Sequence, residues 1–300
     1  FFIESSNNFI ATFILYIGGK ILREIKSSDI TKKLKEGLLE IASVLPRDVM
    51  DRLVELRDKE KWPLAKETIT TIIDNDNLAQ RDSVPMCQDT GMVICFVKIG
   101  QDVHVDGSIK DAINQAVREA YTDGYLRKSV VKDPIDRVNT KDNTPAIIHY
   151  EIVEGDVFEI SFAAKGFGSE NMSKQKMLKP ADGLEGVKKF ILETVETAGP
   201  NPCPPIVVGV GIGGDFEKSC IMAKKSLMRD IDDYNKDPFY ADLEKELLEK
   251  INELGIGPQG FGGKTTALRV FINTHPTHIA GLPVAVNIQC HAARHKVISL

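Results

Sequence analysis

From Asp29 onward, apolar residues fall at Ile30, Leu34, Leu38, Ile41 and Leu45, and Pro46 ends the run. Steps of three and four line one face of a helix, and a proline cannot continue it. Asp48 is placed to cap a following segment that carries Val49, Leu53 and Leu56, and Pro63 suits the first position of a third helix through Ile69, Ile72 and Ile73. The N-terminal part therefore reads as a helical layer.

Beyond Asp89-Thr90-Gly91 the period changes. Met92 to Ile99 is a β-prone apolar run, which predicts a buried strand. Ser108 should cap an amphipathic helix through Ile109, Ile113, Val117 and Tyr121. Ala146 to Val153 and Val157 to Ala163, separated by Glu154-Gly155-Asp156, predict an antiparallel hairpin. Asp182 with Glu185 predicts a capped helix that Gly199-Pro200 ends. Further strands are expected at Ile206 to Val210, Ala267 to Ile272 and Val284 to Ile288. The fold class that follows is α/β (mixed α+β), a helical N-terminal layer packed on a mixed, partly antiparallel sheet. No internal repeat or low-complexity linker interrupts it.

With 300 residues, 42% of them hydrophobic and 27% charged, the chain can bury a sizeable core as a globular protein. A net charge of -5 and a pI near 5.8 argue against a nucleic-acid partner held through the phosphate backbone. The apolar stretch Phe9 to Ile17 is shorter than the ~20 residues of a membrane span, so no membrane association is expected. It follows Glu4 and no Lys or Arg, unlike a signal peptide. Residues 1–21, which start at Phe1 and turn helical only near Leu22, are expected to be an extraneous or disordered segment, with 22–300 as the catalytic domain. Five cysteines, odd in number and widely spread, fit a reducing, cytoplasmic setting better than a disulfide framework.

Two glycine-rich segments could cradle phosphate. Gly209, Gly211 and Gly214 satisfy G-x-G-x-x-G after a strand-like run, but the second strand and its acidic end, ~20 residues on, are replaced by polar Met228 to Tyr234. Gly263-Lys264-Thr265 resembles the end of a Walker A loop, yet Pro258 stands where the first glycine belongs. Unobstructed backbone N–H groups could meet an anion at either place, and tight turns explain the glycines equally well.

Three cysteines stand in unusual settings: Cys87 before Gln88-Asp89, Cys203 between prolines, and Cys290 before His291. Cys95 and Cys220 read as ordinary buried thiols. No CxxC pair completes a zinc site with His291 and His295, which leaves zinc the weaker reading.

From about Asp29 to Cys290 the chain resembles the alpha-type subunit, or N-terminal half, of the class I (iron-sulfur) fumarate hydratases and L(+)-tartrate dehydratases. The segments that carry the resemblance are Met86-Cys87-Gln88-Asp89-Thr90-Gly91, Lys165 to Met172, Asn201 to Pro205, Gly257 to Ala267 and Thr274 to His278. The resemblance implies a 4Fe-4S cluster held by Cys87, Cys203 and Cys290, one iron left open as a Lewis acid for a C4 dicarboxylate and its hydroxyl. It implies that Gln88 and Asp89 flank the first ligand, Asp89 as acid/base partner or orienter, that Arg127 binds a carboxylate, and that Gly168 offers backbone N–H. His278 would contact the hydroxyl, and Lys165 an anion. Fumarate hydratase, interconverting malate with fumarate and water, is the activity implied, with L(+)-tartrate dehydratase as the alternative. Further catalytic groups of that family come from a β part, so a separate beta subunit in an α2β2 assembly is expected. Outside this chemistry, an electron-transfer protein would need Cys95 or Cys220 as a fourth ligand, and a nucleotide-binding oxidoreductase would need the Gly209 to Gly214 loop.

Overall fold

The computed structural model describes residues 14–17 and 20–300, with side chains described from Leu22 onward. Residues 1–13, 18 and 19, most of the segment expected to be extraneous or disordered, lie outside the described residues. Strands β1 (Ile14–Ile17) and β2 (Lys20–Ile25) pair antiparallel, and β2 pairs in parallel with β4 (Val103–Val105). The helical sequence expected near Leu22 is thus a strand, because its backbone finds partners on both sides; the helix starts at Ser27.

Helices α1 (Ser27–Ser43), α2 (Arg47–Lys59) and α3 (Pro63–Asp82) form the predicted N-terminal layer, with Pro63 at the first turn of α3. Asp48 does not cap α2. Pro46 takes that position, and the Asp48 carboxylate accepts the Ile231 N–H at 2.6 Å. Strand β3 (Met92–Gly100) and α4 (Ile109–Asp123) follow, and Ser108 accepts the Asp111 N–H as a cap should.

A four-stranded sheet runs in the order β11-β6-β3-β5, where β5 is Ile147–Val153, β6 Phe158–Lys165 and β11 His295–Ser299. The predicted β5–β6 hairpin is absent among the described residues: β3 lies between the two, parallel to β5 and antiparallel to β6. A strand as buried as β3 must satisfy its backbone groups on both edges, and insertion between β5 and β6 does so. The Gly155 turn instead wraps the end of β3, with the Gly100 N–H on the Val157 carbonyl at 2.7 Å. On one face of this sheet α1 and α4 pack Ile30, Leu34, Leu38, Ile113 and Val117 against Val93, Cys95, Val97, Ile160 and Phe162.

A second four-stranded sheet, β7-β10-β8-β9, contains β7 (Lys174–Leu178), β8 (Ile206–Gly214), β9 (Ala267–Thr277) and β10 (Leu282–Gln289). It follows the short helix α5 (Phe167–Glu170). Helices α6 (Gly183–Ala198) and α8 (Pro238–Glu253) cover one face through Ile191, Val195, Leu247 and Ile251, and α7 (Phe216–Ser226) lies on the other. Asp182 leads α6 without the expected side-chain cap, because its carboxylate accepts the Lys179 N–H at 2.8 Å.

A third core sets α2 and α3 against the second sheet: Val49, Leu53, Ile69, Ile72 and Ile73 pack with Val207, Leu268 and Phe271, and with Ala292 and Ala293 of the segment after β10. Cys87 and Cys290 border this core. Among the described residues no helix is long and apolar enough to cross a membrane.

The two glycine motifs are structural. Gly209 and Gly211 lie within β8, on the face covered by α7, where an added Cβ would stand 2.3 Å from the Ala223 carbonyl oxygen and 2.1 Å from that of Ser219. Close helix-to-strand approach, rather than pyrophosphate, requires them. At Gly263 to Thr265 the anion is the protein's own Glu60: its Oε2 accepts the N–H groups of Lys264 and Thr265 at 2.9 and 3.1 Å and the Thr265 hydroxyl at 2.9 Å.

Candidate active site

The cysteine-bearing loops meet at one end of the molecule. Cys87 lies between α3 and β3, in a segment pinned by the Met86 N–H on the Ala42 carbonyl (2.9 Å) and by Asn75 on the Met86 carbonyl (3.0 Å). Cys203 sits in the turn from α6 to β8 with φ of 55°, and Gln259 braces that turn with two bonds to the Pro204 carbonyl, 2.9 and 2.8 Å. Cys290 follows β10, whose Gln289 pairs with Val207 of β8, so strand register carries Cys290 back to the Cys203 turn. The His291 N–H reaches the Cys203 carbonyl at 3.4 Å.

Electrostatics links the three thiols. Burial pushes the Cys203 thiol up, and the negative charge of Cys290, Cys87 and Asp89 pushes it further. Burial raises Cys290 most strongly, against the pull of Arg294 and Lys165 toward the thiolate. Cys95 is buried in the first core, its thiol pushed up to about 12, and Cys220 is half-buried on α7 rather than fully packed as expected. Among the described residues no three His, Cys, Asp or Glu side chains stand close enough to hold a single metal ion.

The surroundings suit a larger anionic group. Arg294 is 2% exposed, donates to the Asp89 carbonyl at 2.7 Å, and leaves Nε and Nη1 without partners, as His291 leaves Nδ1. Lys165 is equally buried, donates to the Ser169 hydroxyl at 2.7 Å, and lies 3.4 Å from Glu170. Burial lowers it to about 8. Glu170 is held below the ordinary carboxyl range despite its burial, by Lys224, Lys165 and a 3.0 Å bond from Asn287. Two buried cations near thiols and unsatisfied donors are what a cluster of thiolate-bound iron would compensate.

Beside the cysteines opens a cleft of about 550 Å³, lined among others by Asp89, Arg127, Arg137 and Phe167. The Asp89 carboxylate accepts the Gly91 N–H at 3.0 Å and the Phe167 N–H at 2.9 Å, a geometry that orients the loop around it. Gln88 is exposed next to it, and Arg127 is exposed on the cleft wall. Gly168 is exposed in the first turn of α5, where an α-helix leaves N–H donors without intrahelical partners. An added Cβ there would come no closer than 3.8 Å to the Asn201 carbonyl oxygen, so the fold itself does not demand glycine at this position.

His278 is not brought to this end. The connection from β9 to β10 crosses the C-terminal end of β8, where Thr277 bonds the Gly214 carbonyl at 2.8 Å, while Cys203 and Cys290 flank the opposite end of the same strands. At a rise of ~3.3 Å per residue the length of β10 separates them by roughly 25 Å. The His278 ring accepts the Ala280 N–H at 3.2 Å, at the end of the sheet opposite Cys203 and Cys290.

The residues that sequence reasoning missed are Arg294, Glu170, Lys224 and Arg137. The H-x3-H spacing drew attention to His291 and His295, whereas Arg294 between them faces Cys290 and Asp89.

The sequence profile described as fumarate hydratase (Fumerase) matches residues 31–299. A Methanocaldococcus jannaschii protein provisionally named L(+)-tartrate dehydratase subunit alpha is 46% identical over 280 residues, 91% of this chain and 97% of that protein. The L(+)-tartrate dehydratase subunit alpha of Escherichia coli K12 is 36% identical over 258 residues, 85% of each chain, and that of Shigella sonnei is equally similar. With the profile spanning nearly the whole chain, this protein belongs to the class I fumarate hydratase and tartrate dehydratase family and is a hydro-lyase of its alpha type.

Proposed function

We propose that the cysteine end holds a 4Fe-4S cluster through Cys87, Cys203 and Cys290 and that, with a beta-type partner, the chain catalyses reversible loss of water from a C4 2-hydroxydicarboxylate, (S)-malate to fumarate first among them. The observation that carries this reading is the meeting of the three cysteine loops, with the His291 N–H on the Cys203 carbonyl and Cys87 and Cys290 against one core, next to the cleft that Asp89 and Arg127 line. The family is iron-sulfur dependent. When bound, the cluster supplies a Lewis acid for the leaving hydroxyl.

The chain's own residues do the rest. Arg127 holds a substrate carboxylate by a charge-assisted bond. Asp89 keeps the Phe167 turn, and with it the Gly168 N–H, in place at the cleft. Each Asp89 oxygen retains a second lone pair to meet a substrate proton or hydroxyl. Lys165 and Arg294 neutralise thiolate charge at Cys290 from the buried side. The partner is inferred from relatives named as alpha subunits. Exposed Tyr125, Ile135 and Phe167 near the cleft and Trp62 and Phe261 near the Cys203 turn offer it apolar surface around the site. A site shared between chains needs such a rim to fix the positions of its proton-transfer groups.

L(+)-tartrate is the second reading, supported by the relatives' names. The test is anaerobic reconstitution of the chain with the candidate partner, followed by iron and sulfide analysis and assays on malate and L(+)-tartrate. Cys87→Ser, Cys203→Ser and Cys290→Ser should each lose the cluster, while Cys220→Ser should load normally. Normal iron and sulfide content in any of the first three would remove that cysteine from the ligand set.

A further inference from the structure

We propose that Arg137 is a second carboxylate-binding group of the cleft, facing the far carboxylate of the diacid that Arg127 engages; the inference rests on the hydro-lyase reading above. The two arginines stand ten positions apart on one strap, and both line the cleft with Asp89. Among the described residues neither guanidinium forms an ion pair. Asp89 pairs with neither of them; its carboxylate is turned to the Gly91 and Phe167 N–H groups. The cleft therefore presents two uncommitted cations, and a dicarboxylate is the ligand whose charge and valence match them.

The strap is built to hold them still. Buried Asn143 accepts the Ser129 N–H at 2.7 Å and donates to the Gly91 carbonyl at 3.1 Å, and Thr90 donates to the carbonyl of Arg127 at 2.8 Å. The outer limb is closed by the Lys132 N–H on the Val138 carbonyl (2.7 Å) and a bridge between Val131 and Asn139. Asp133 accepts the N–H groups of Ile135 and Asp136, both at 2.8 Å. Arg127 is thereby tied through its backbone to Thr90, next to Asp89, and the turn that carries Arg137 is closed on the same strap.

Arg137 itself has φ of 55°, a left-handed conformation that glycine or asparagine takes at less cost than arginine. Its guanidinium makes one 3.3 Å contact, to the Pro134 carbonyl of its own turn. The fold gains little from this side chain, which leaves the guanidinium free to meet a ligand outside the turn. Exposed Ile135 and Val138 on the same strap raise the competing use, an anchor for an acidic group of the partner.

The experiment compares Arg137→Gln and Arg137→Asn with the wild type in the cluster-loaded complex. Loss of one charge-assisted contact should raise KM for the hydroxydiacid ~10–100-fold with kcat within a few-fold. Succinate inhibition should weaken in parallel, and inhibition by lactate, which has a single carboxylate, should not change. Arg137→Asn suits the left-handed turn and guards against a folding artefact. An unchanged KM, or weakened assembly with the partner at unchanged KM, overturns the assignment. If the loaded wild type turns over no C4 hydroxydiacid, the functional reading fails separately. Succinate titration of the same proteins then still decides Arg137, since equal affinity in wild type and Arg137→Gln refutes it.

Discussion

Replacing Glu60 by Gln should destabilise the chain by ~2–4 kcal/mol at neutral pH, far more than an isosteric surface change. Glu60 is 7% exposed and ties the α2–α3 linker to the loop before β9. Its Oε1 accepts the N–H groups of Lys61 and Trp62, both at 3.0 Å, while Oε2 accepts three donors from Lys264 and Thr265. A glutamine amide has one acceptor oxygen, so whichever way it is turned at least two backbone N–H groups face an NH2. An orphaned donor costs ~1–3 kcal/mol where fully buried, as at Thr265, and less at the part-buried N–H groups of Lys61, Trp62 and Lys264, and the surviving bonds lose their charge assistance. Burial pushes the Glu60 carboxyl up, but these hydrogen bonds outweigh it and hold the carboxyl below its ordinary value of 4.5. A depressed folded-state value means the stabilisation is complete above the unfolded value and is lost as pH falls through the folded one. The assay is the urea midpoint of wild type and Glu60→Gln from pH 7 to pH 3. The gap between them should be full at pH 7 and should shrink only below about pH 4.5. A gap under ~1 kcal/mol at pH 7, or one that stays constant down to pH 3, would refute the carboxylate's role as the loop's internal anion.

Asp76 should behave in the opposite sense. It is 1% exposed with Oδ2 unpartnered, and burial raises it to about 6. Ionisation therefore opposes folding above its unfolded value, with the full penalty reached above the folded one. Asp76→Asn should gain ~1–3 kcal/mol at pH 8 and nothing at pH 3.5; a loss at pH 8 in thermal unfolding would show that Asp76 serves as a needed counter-ion to Arg294. Gly209→Ala should destabilise by ~3 kcal/mol or more through the 2.3 Å clash with the Ala223 carbonyl, as read by urea unfolding. Wild-type stability in this variant together with loss of NADH binding would restore the dinucleotide reading.

The helical layer was legible because periodicity reports which face is buried, and Ile30, Leu34, Leu38 and Ile41 all enter the first core. The apolar strands β3, β5, β6, β8, β9 and β10 were legible for the same reason, whereas β2, β4, β7 and β11 were not expected; the strand partners were not legible. Alternation of Phe158, Ile160 and Phe162 in β6 says which side chains turn inward, while the insertion of β3 between β5 and β6 is decided by a long-range need to satisfy the edges of a buried strand. Glycine spacing was ambiguous on the same ground. The G-x-G-x-x-G pattern is compatible with any backbone that needs glycine, and only the approach of α7 to β8 tells which need is met.

The site divides along a similar line. Local signals, proline around Cys203 and Gln-Asp after Cys87, marked segments that the fold brings together, whereas Cys95, set among apolar neighbours, lies in the core. Resemblance alone carried His278 to the same place, and strand direction separates it from Cys203 and Cys290 by the length of a strand. Arg294 shows the converse limit. Nothing in the His291-Ala-Ala-Arg294-His295 spacing singles out the arginine, because its importance comes from burial beside Cys290 and Asp89, which belong to segments about 200 residues apart in the chain. A residue whose role is to balance charge at a site assembled from distant loops leaves no local pattern. Such residues are found by asking which buried nitrogens lack partners; among the described residues these belong to Arg269, Arg294 and His291, and the last two lie at the cysteine end.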